Sequence, residues 1–231
     1  MADVDPAAVL DSDPWFASLD RAIAEAMKAA GRVRRHAAGS AVYHLGDDPN
    51  GLHLVIAGEV RLLSYSEAGA QMVALVARAG DWFGELSTID GRERPQDAIA
   101  AGEVSLFSLD QPAVERIAAS HPAIWRAIGM LSCRHQRQAL AYIDTLVSLP
   151  PRARIAAMLA GRLMRESDGA VLVSQDQIAA GVGLSRQTVN ATLRDFERRG
   201  LVRRGYGRIE ILDPAALRRI RAGSMSAQAA A

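Results

Sequence analysis

The 231-residue chain contains a single cysteine, Cys133. It cannot close a disulfide within itself, nor build a Cys-rich zinc site or a Cys-ligated iron–sulfur cluster, so an iron–sulfur cofactor is excluded. Such sparing use of cysteine fits a reducing cytoplasm. No apolar run approaches the ~20 residues of a membrane span. The acidic N-terminus, with Asp3, Asp5, Asp11 and Asp13, lacks the basic-then-apolar pattern of a signal segment. The expectation is a cytoplasmic protein with no membrane partner. A nucleophile–base motif, a zinc-type His/Glu spacing and a Walker-type phosphate loop are also missing, which argues against an enzyme.

Net charge is nearly absent, at +1, but its distribution is uneven. From Ser148 onward there are 14 Lys/Arg against 7 Asp/Glu, a net of +7, whereas residues 1–147 carry 13 against 19, a net of −6. An acidic front and a basic back are expected when one half of a chain meets phosphates.

Residues 1–12 read as a disordered N-terminus, after which Asp13-Pro14 can cap a short helix. From about Ser40 the pattern changes to short β-type runs, namely 42–44, 52–56, 59–63, 72–76 and 104–109, most of them set off by glycines. Such runs argue for an antiparallel sandwich or barrel. A helix is expected over 112–119 and a long one over 121–149. The long helix carries two apolar stripes. Ile124, Ile128, Leu131, Tyr142 and Leu146, with His135 among them, are assigned to a second copy of the chain; Leu140, Ile143 and Val147 lie on another face. Pro150-Pro151 ends this helix and marks a domain boundary. Residues 150–222 form the second domain, and 223–231 a loose tail.

Within the second domain, Ser174-Gln175-Asp176-Gln177 has a capping-box pattern. Gly181-Val182-Gly183-Leu184 supplies a turn, and Ser185 can cap the helix that follows. On that helix Val189, Leu193 and Phe196 share one face, while Gln187, Asn190, Arg194 and Arg198 share the opposite one. Gln and Asn suit adenine, and Arg suits guanine or phosphate. Two helices joined by a short glycine turn, the second entering the major groove, make a helix-turn-helix. A glycine-tipped two-stranded wing follows, placing Arg203, Arg204 and Arg208 beside the DNA backbone. The competing reading is a signalling module whose basic domain engages a partner other than DNA.

These features together resemble the Crp/Fnr superfamily of bacterial transcription regulators, over roughly residues 14–221. The anchors are Gly58-Glu59-Val60, the run from Ala79 to Leu86, Asp90-Gly91-Arg92-Glu93-Arg94, and the run from Leu184 to Asn190. The resemblance implies an α+β chain: an antiparallel β-roll sensor of jelly-roll type over 13–120, a dimerisation helix over 121–149 and a winged helix-turn-helix over 150–222. It implies a homodimer on a palindromic double-stranded operator, with RNA polymerase a further candidate partner. Ser185, Arg186, Gln187, Thr188, Asn190, Arg194, Arg203 and Arg208 are the DNA-contact candidates; Arg186 and Gln187 match the family's contact positions. Ala191 stands where some members carry a basic contact.

In the sensor domain Gly84, Glu85 and Leu86 match the family's nucleotide-binding turn, and Arg94 stands at its phosphate arginine. Beyond Arg94 the match fails. Pro95 has no N–H to donate, Gln96 adds bulk, and Asp97 is unfavourable beside a phosphate. The family's adenine-contacting hydroxyl pair aligns with Ala139 and Leu140, which cannot bond a base. The usual cyclic-AMP mode is therefore disfavoured, although a cyclic nucleotide or another ligand in the same cavity stays open. Glu85 and Arg94 are expected to pair with each other instead. For haem, His44, His53, His121, His135 and Cys133 qualify as axial ligands by type only, so haem is disfavoured. No cofactor is certain.

Overall fold

The glycine-punctuated runs of the first half pair as antiparallel strands of two four-stranded sheets. A computed structural model describes residues 5–65, 67, 69, 71–161, 170–171, 175–205 and 208–229. Contacts divide the chain into two units, Met1–Arg137 and Gln138–Ala231.

In the first unit one sheet contains β1 (Arg32–His36), β3 (Leu52–Ala57), β6 (Trp82–Phe83) and β8 (Val104–Leu109), in the order β1-β8-β3-β6. The other contains β2 (Ala41–Tyr43), β4 (Glu59–Tyr65), β5 (Gln71–Arg78) and β7 (Asp97–Ala100), in the order β2-β7-β4-β5. This is the antiparallel β-roll of an α+β chain. The apolar run 52–56 lacks polar alternation because β3 is covered on both faces. Leu52, Leu54 and Ile56 face a helical layer, while Val55 joins Tyr43, Phe83 and Leu106 in a second core.

The helical layer begins earlier than the sequence reading placed it. Residues 6–12 form α1 (Pro6–Ser12) rather than part of a disordered terminus. Asp5 accepts the Ala7 N–H, Pro6 opens the helix, and Leu10 is buried in the core. Next come α2 (Pro14–Ala17), where Asp13 accepts the Phe16 N–H as its spacing predicts, and α3 (Arg21–Ala30). Asp13 Oδ1 also accepts the indole N–H of Trp82 at 3.1 Å, and both residues are buried. Asp13→Ala should cost about 2–4 kcal/mol, combining a lost helix cap with a stranded buried donor. A lower urea midpoint at unchanged slope would show it; an unchanged midpoint would refute it.

After α4 (Glu85–Asp90) and α5 (Gln111–Ser120) comes the long helix α6 (Ala123–Ser148). Its two stripes divide otherwise than expected. Ile124, Ile128 and Leu131, assigned to a second copy, are wholly buried in the first unit's own helical core. His135 Nδ1 lies 2.9 Å from Glu85 Oε1. In the second unit the Tyr142 hydroxyl donates to Gly181 O, and Leu146 packs on the core. Of the stripe named for a dimer, Ile124, Ile128 and Leu131 are thus committed within the chain, while His135, Tyr142 and Leu146 stay partly exposed. The large apolar side chains exposed on α6 are Met130, Leu140, Ile143 and Val147. Periodicity locates two faces but does not say which one the chain itself covers.

In the second unit Pro151 opens α7 (Pro151–Ala160). The helix break at Pro150 is therefore present, although the division between units falls twelve residues earlier, inside α6. There follow β9 (Ala170–Val171), α8 (Gln175–Val182), α9 (Arg186–Arg198), β10 (Val202–Gly205), β11 (Arg208–Ile211) and α10 (Pro214–Ala229). The wing has three antiparallel strands rather than two, in the order β10-β11-β9. The tail expected to be loose from 223 continues α10 to Ala229.

Candidate nucleic-acid interface and effector pocket

The α8–α9 pair is built by small residues and a cap. Gly181 lies inside α8, and a Cβ there would come within 2.9 Å of Met158 Cε, the mobile end of a side chain that packs closely on this turn. Only Gly183 of the two turn glycines has positive φ, at +64°. Ser185 caps α9: its hydroxyl accepts the Thr188 N–H at 3.1 Å and lies 2.8 Å from the Thr188 hydroxyl. Thr188 therefore holds the cap together and is not a free reading group. Ser174, the first residue of the capping-box pattern, lies outside the described residues, as do Tyr206 and Gly207 at the wing tip.

Val189, Leu193 and Phe196 are fully buried, and the opposite face of α9 is presented outward. Arg186, Gln187, Arg194 and Arg198 are exposed. Arg186 pairs with Asp176 at 3.4 Å, an exposed contact of little energetic weight. Arg194 has no ion-pair partner among the described residues. Asn190 is only partly exposed, and its Oδ1 accepts from Arg204 Nη1 at 3.1 Å. Arg204 is in turn fixed to Glu197, by its backbone N–H at 2.9 Å and its Nε at 2.7 Å. Those two bonds hold the Glu197 carboxyl below its ordinary pKa. Arg204 therefore braces β10 against α9 rather than extending from the wing; nothing in the sequence marked this lock. On the wing Arg203 pairs with Glu210 at 2.7 Å, and Arg208 is exposed.

In the first unit the matched nucleotide-binding turn is present, but its polar groups are engaged. Gly84 has φ +92°, and a Cβ on it would lie 2.9 Å from Gly51 O. Arg94 is only 1% exposed. It donates to Gly84 O at 2.7 Å, to Gly51 O at 2.6 Å and to Asn50 Oδ1, and it stacks over Tyr43 at 4.3 Å. Its Nε is buried without an acceptor, and burial lowers its pKa. Burial is also the main force raising the Tyr43 pKa. The expected Glu85–Arg94 ion pair does not form; Glu85 binds His135 instead, because α6 brings that imidazole to the first turn of α4. Leu86 points outward and is exposed.

Beyond Arg94, Pro95 is exposed and Gln96 Nε2 donates to Ser64 Oγ at 2.7 Å. Asp97 accepts from Leu45 N–H at 2.7 Å and from the Tyr65 hydroxyl, and lies 3.4 Å from His44 Nδ1. Burial opposes its charge, but these bonds outweigh burial and keep its pKa low. Arg94 and Glu85, matched to the family's phosphate arginine and nucleotide-binding turn, are thus both partnered within the chain, and Asp97 is kept charged two residues beyond Pro95. Among the described residues no group of three or more His, Cys, Asp or Glu side chains could hold a metal, and no helix is long and apolar enough to cross a membrane.

Residues 33–121 match the cyclic nucleotide-binding domain, and residues 153–220 match the Crp-like helix-turn-helix domain. The chain is 29% identical to the cyclic AMP receptor protein of Thermus thermophilus, over 82% of this chain and 88% of that protein. It is 30% identical to a CRP-like cAMP-activated global transcriptional regulator of Mycobacterium tuberculosis, over 71% of this chain and 77% of that one. Among solved structures, a CRP-family transcriptional regulator from Thermus thermophilus superposes with a TM-score of 0.65 at 29% identity, covering 82% of this chain and 96% of that one.

Proposed function

The chain belongs to the Crp/Fnr family of transcription regulators, and from that premise we propose that it acts as a homodimer reading a two-fold symmetric operator through α9. The observation that carries this is the capped N-terminus of α9. It offers exposed Arg186 and Gln187 above a buried Val189–Leu193–Phe196 anchor. Gln187 suits adenine and Arg186 suits guanine, while Arg194, Arg203 and Arg208 suit the flanking phosphates. The dimer is supported by the exposed apolar face of α6, half-sites lying about one helical turn apart. RNA polymerase is the further partner this role calls for. Effector control belongs to the β-roll, by a ligand other than a cyclic nucleotide held through Arg94 and Glu85.

Footprinting on genomic DNA, followed by affinity measured against salt, tests this. We expect protection of a palindrome and a slope of log K against log salt of about −5 to −7, as for six to eight neutralised phosphates. Binding without a protected palindrome, or with a flat salt dependence, would exclude operator reading.

A further inference from the structure

A cavity of about 200 Å³ opens between β1 and the first turn of α5. Arg34 and His36 from β1, Ser108 from β8 and His53 from β3 line it, together with Asp110 and Gln111. The register places Arg34 opposite Leu106 and His53 opposite Ser108, so this wall is the inward face of the first sheet, continuous with the Val55–Leu106 core. The volume lies below the ~300–1,000 Å³ of pockets for drug-sized ligands, and suits a molecule of a few heavy atoms.

The lining carries charges of both signs, and neither is ion-paired among the described residues. Arg34 is exposed and has no ion-pair partner among the described residues. The two imidazoles add no compensating charge of either sign. Burial lowers the His36 pKa and takes that of His53 to about 3. The His53 tautomer is fixed as well: Asn50 Oδ1 accepts from Nε2 at 3.2 Å, leaving Nδ1 to accept from Ser108 Oγ at 2.9 Å. The start of α5 carries the opposite charge, on the exposed Asp110. One Asp110 oxygen takes the Ala113 N–H at 2.8 Å. Gln111 Nε2 donates to Thr88 O at 3.2 Å, while Gln111 Oε1 is buried with no donor. The cavity thus offers an exposed cation from β1 and an exposed carboxylate from α5. A simple anion would meet Asp110, and a simple cation would meet Arg34.

We propose that this cavity binds a small zwitterion, an α-amino acid of glycine-to-serine size, with its carboxylate on Arg34 and its ammonium on Asp110. An occupant here touches His53, which shares Asn50 with Arg94, and Arg94 holds the carbonyl of Gly84 immediately before Glu85. The site is thereby linked by hydrogen bonds to the family's ligand-binding turn without occupying it.

The test uses the full chain without DNA, so its failure is distinct from a failure of operator reading. Calorimetry and imidazole ¹H–¹⁵N spectra are recorded with glycine, alanine and serine, and with acetate and methylammonium as half-ligands. We expect saturable binding of at least one amino acid at about 1 mM or tighter, with the His36 and His53 resonances moving together. Each half-ligand should bind at least about tenfold more weakly, and Arg34→Gln should lose at least about tenfold in amino-acid affinity. Arg35→Gln removes the neighbouring cation from the opposite face of the same strand and should bind normally. No saturation by any of the three amino acids would overturn the proposal. So would acetate binding as tightly as the amino acid, or equal losses in the two arginine variants.

Discussion

Alanine at both Arg186 and Gln187 should erase the protein's preference for its operator while leaving the fold intact. Both side chains are exposed, and neither contributes to the Ser185 cap or to the buried triad of α9, so helix stability has little to lose. The magnitude follows from counting. Two base contacts in each of two half-sites make four, each worth about 1–3 kcal/mol of discrimination. Even the low end of that range equals the low end of the gap between specific and non-specific binding, about 4–10 kcal/mol. Competition between operator and random DNA at fixed salt should therefore show a drop of about 1,000-fold or more in the specificity ratio. Non-specific affinity should fall far less, because only one cation per subunit is removed. Retention of specificity within about tenfold would mean that base reading lies elsewhere on the domain.

The second large effect concerns α6. Ile143→Glu combined with Val147→Glu should convert the protein to a monomer. Ile143 and Val147 are 51% and 76% exposed in the single chain and lie one helical turn apart. Glutamate there costs the isolated chain little, but in a dimer it places like charges against each other across a two-fold axis. Sedimentation should report the monomer with an unchanged circular dichroism spectrum. Operator affinity should fall about 10²–10⁴-fold, because two linked half-site contacts become independent events. A variant that still sediments as a dimer would place the interface on another face. Substitution of Ile128 would not serve this purpose, since that side chain is wholly buried in its own unit and its replacement would unfold the β-roll.

The strands of the roll, apart from β1, β6 and β7, were legible as runs between glycines, as was the buried triad of α9, because each depends on local periodicity. β1 escaped notice because Arg32, Arg34 and Arg35 make it polar; as an edge strand it is largely exposed. Helix α1 owes its order to tertiary burial of Leu10, for which residues 1–12 alone give no signal, whereas the start of α2 was legible in Asp13-Pro14. The faces of α6 were visible, but their owners were not: only the assembled core shows that Ile124, Ile128 and Leu131 are already covered. The same holds at the two sites. Arg94 was identified by motif, yet its closure onto Gly51, Gly84 and Asn50 depends on loops distant in sequence. Asn190 was identified as a polar face residue, yet the brace from Glu197 through Arg204 holds it in place.

The lone thiol acquires a practical use from the way α6 is covered. Cys133 is exposed and lies two helical turns before Leu140, on the side opposite the buried Ile124–Leu131 stripe. In a dimer formed through that side, alkylation of the thiol waits on dissociation. The rate of its modification, followed against protein concentration, then becomes a clock for subunit exchange that needs no engineered label.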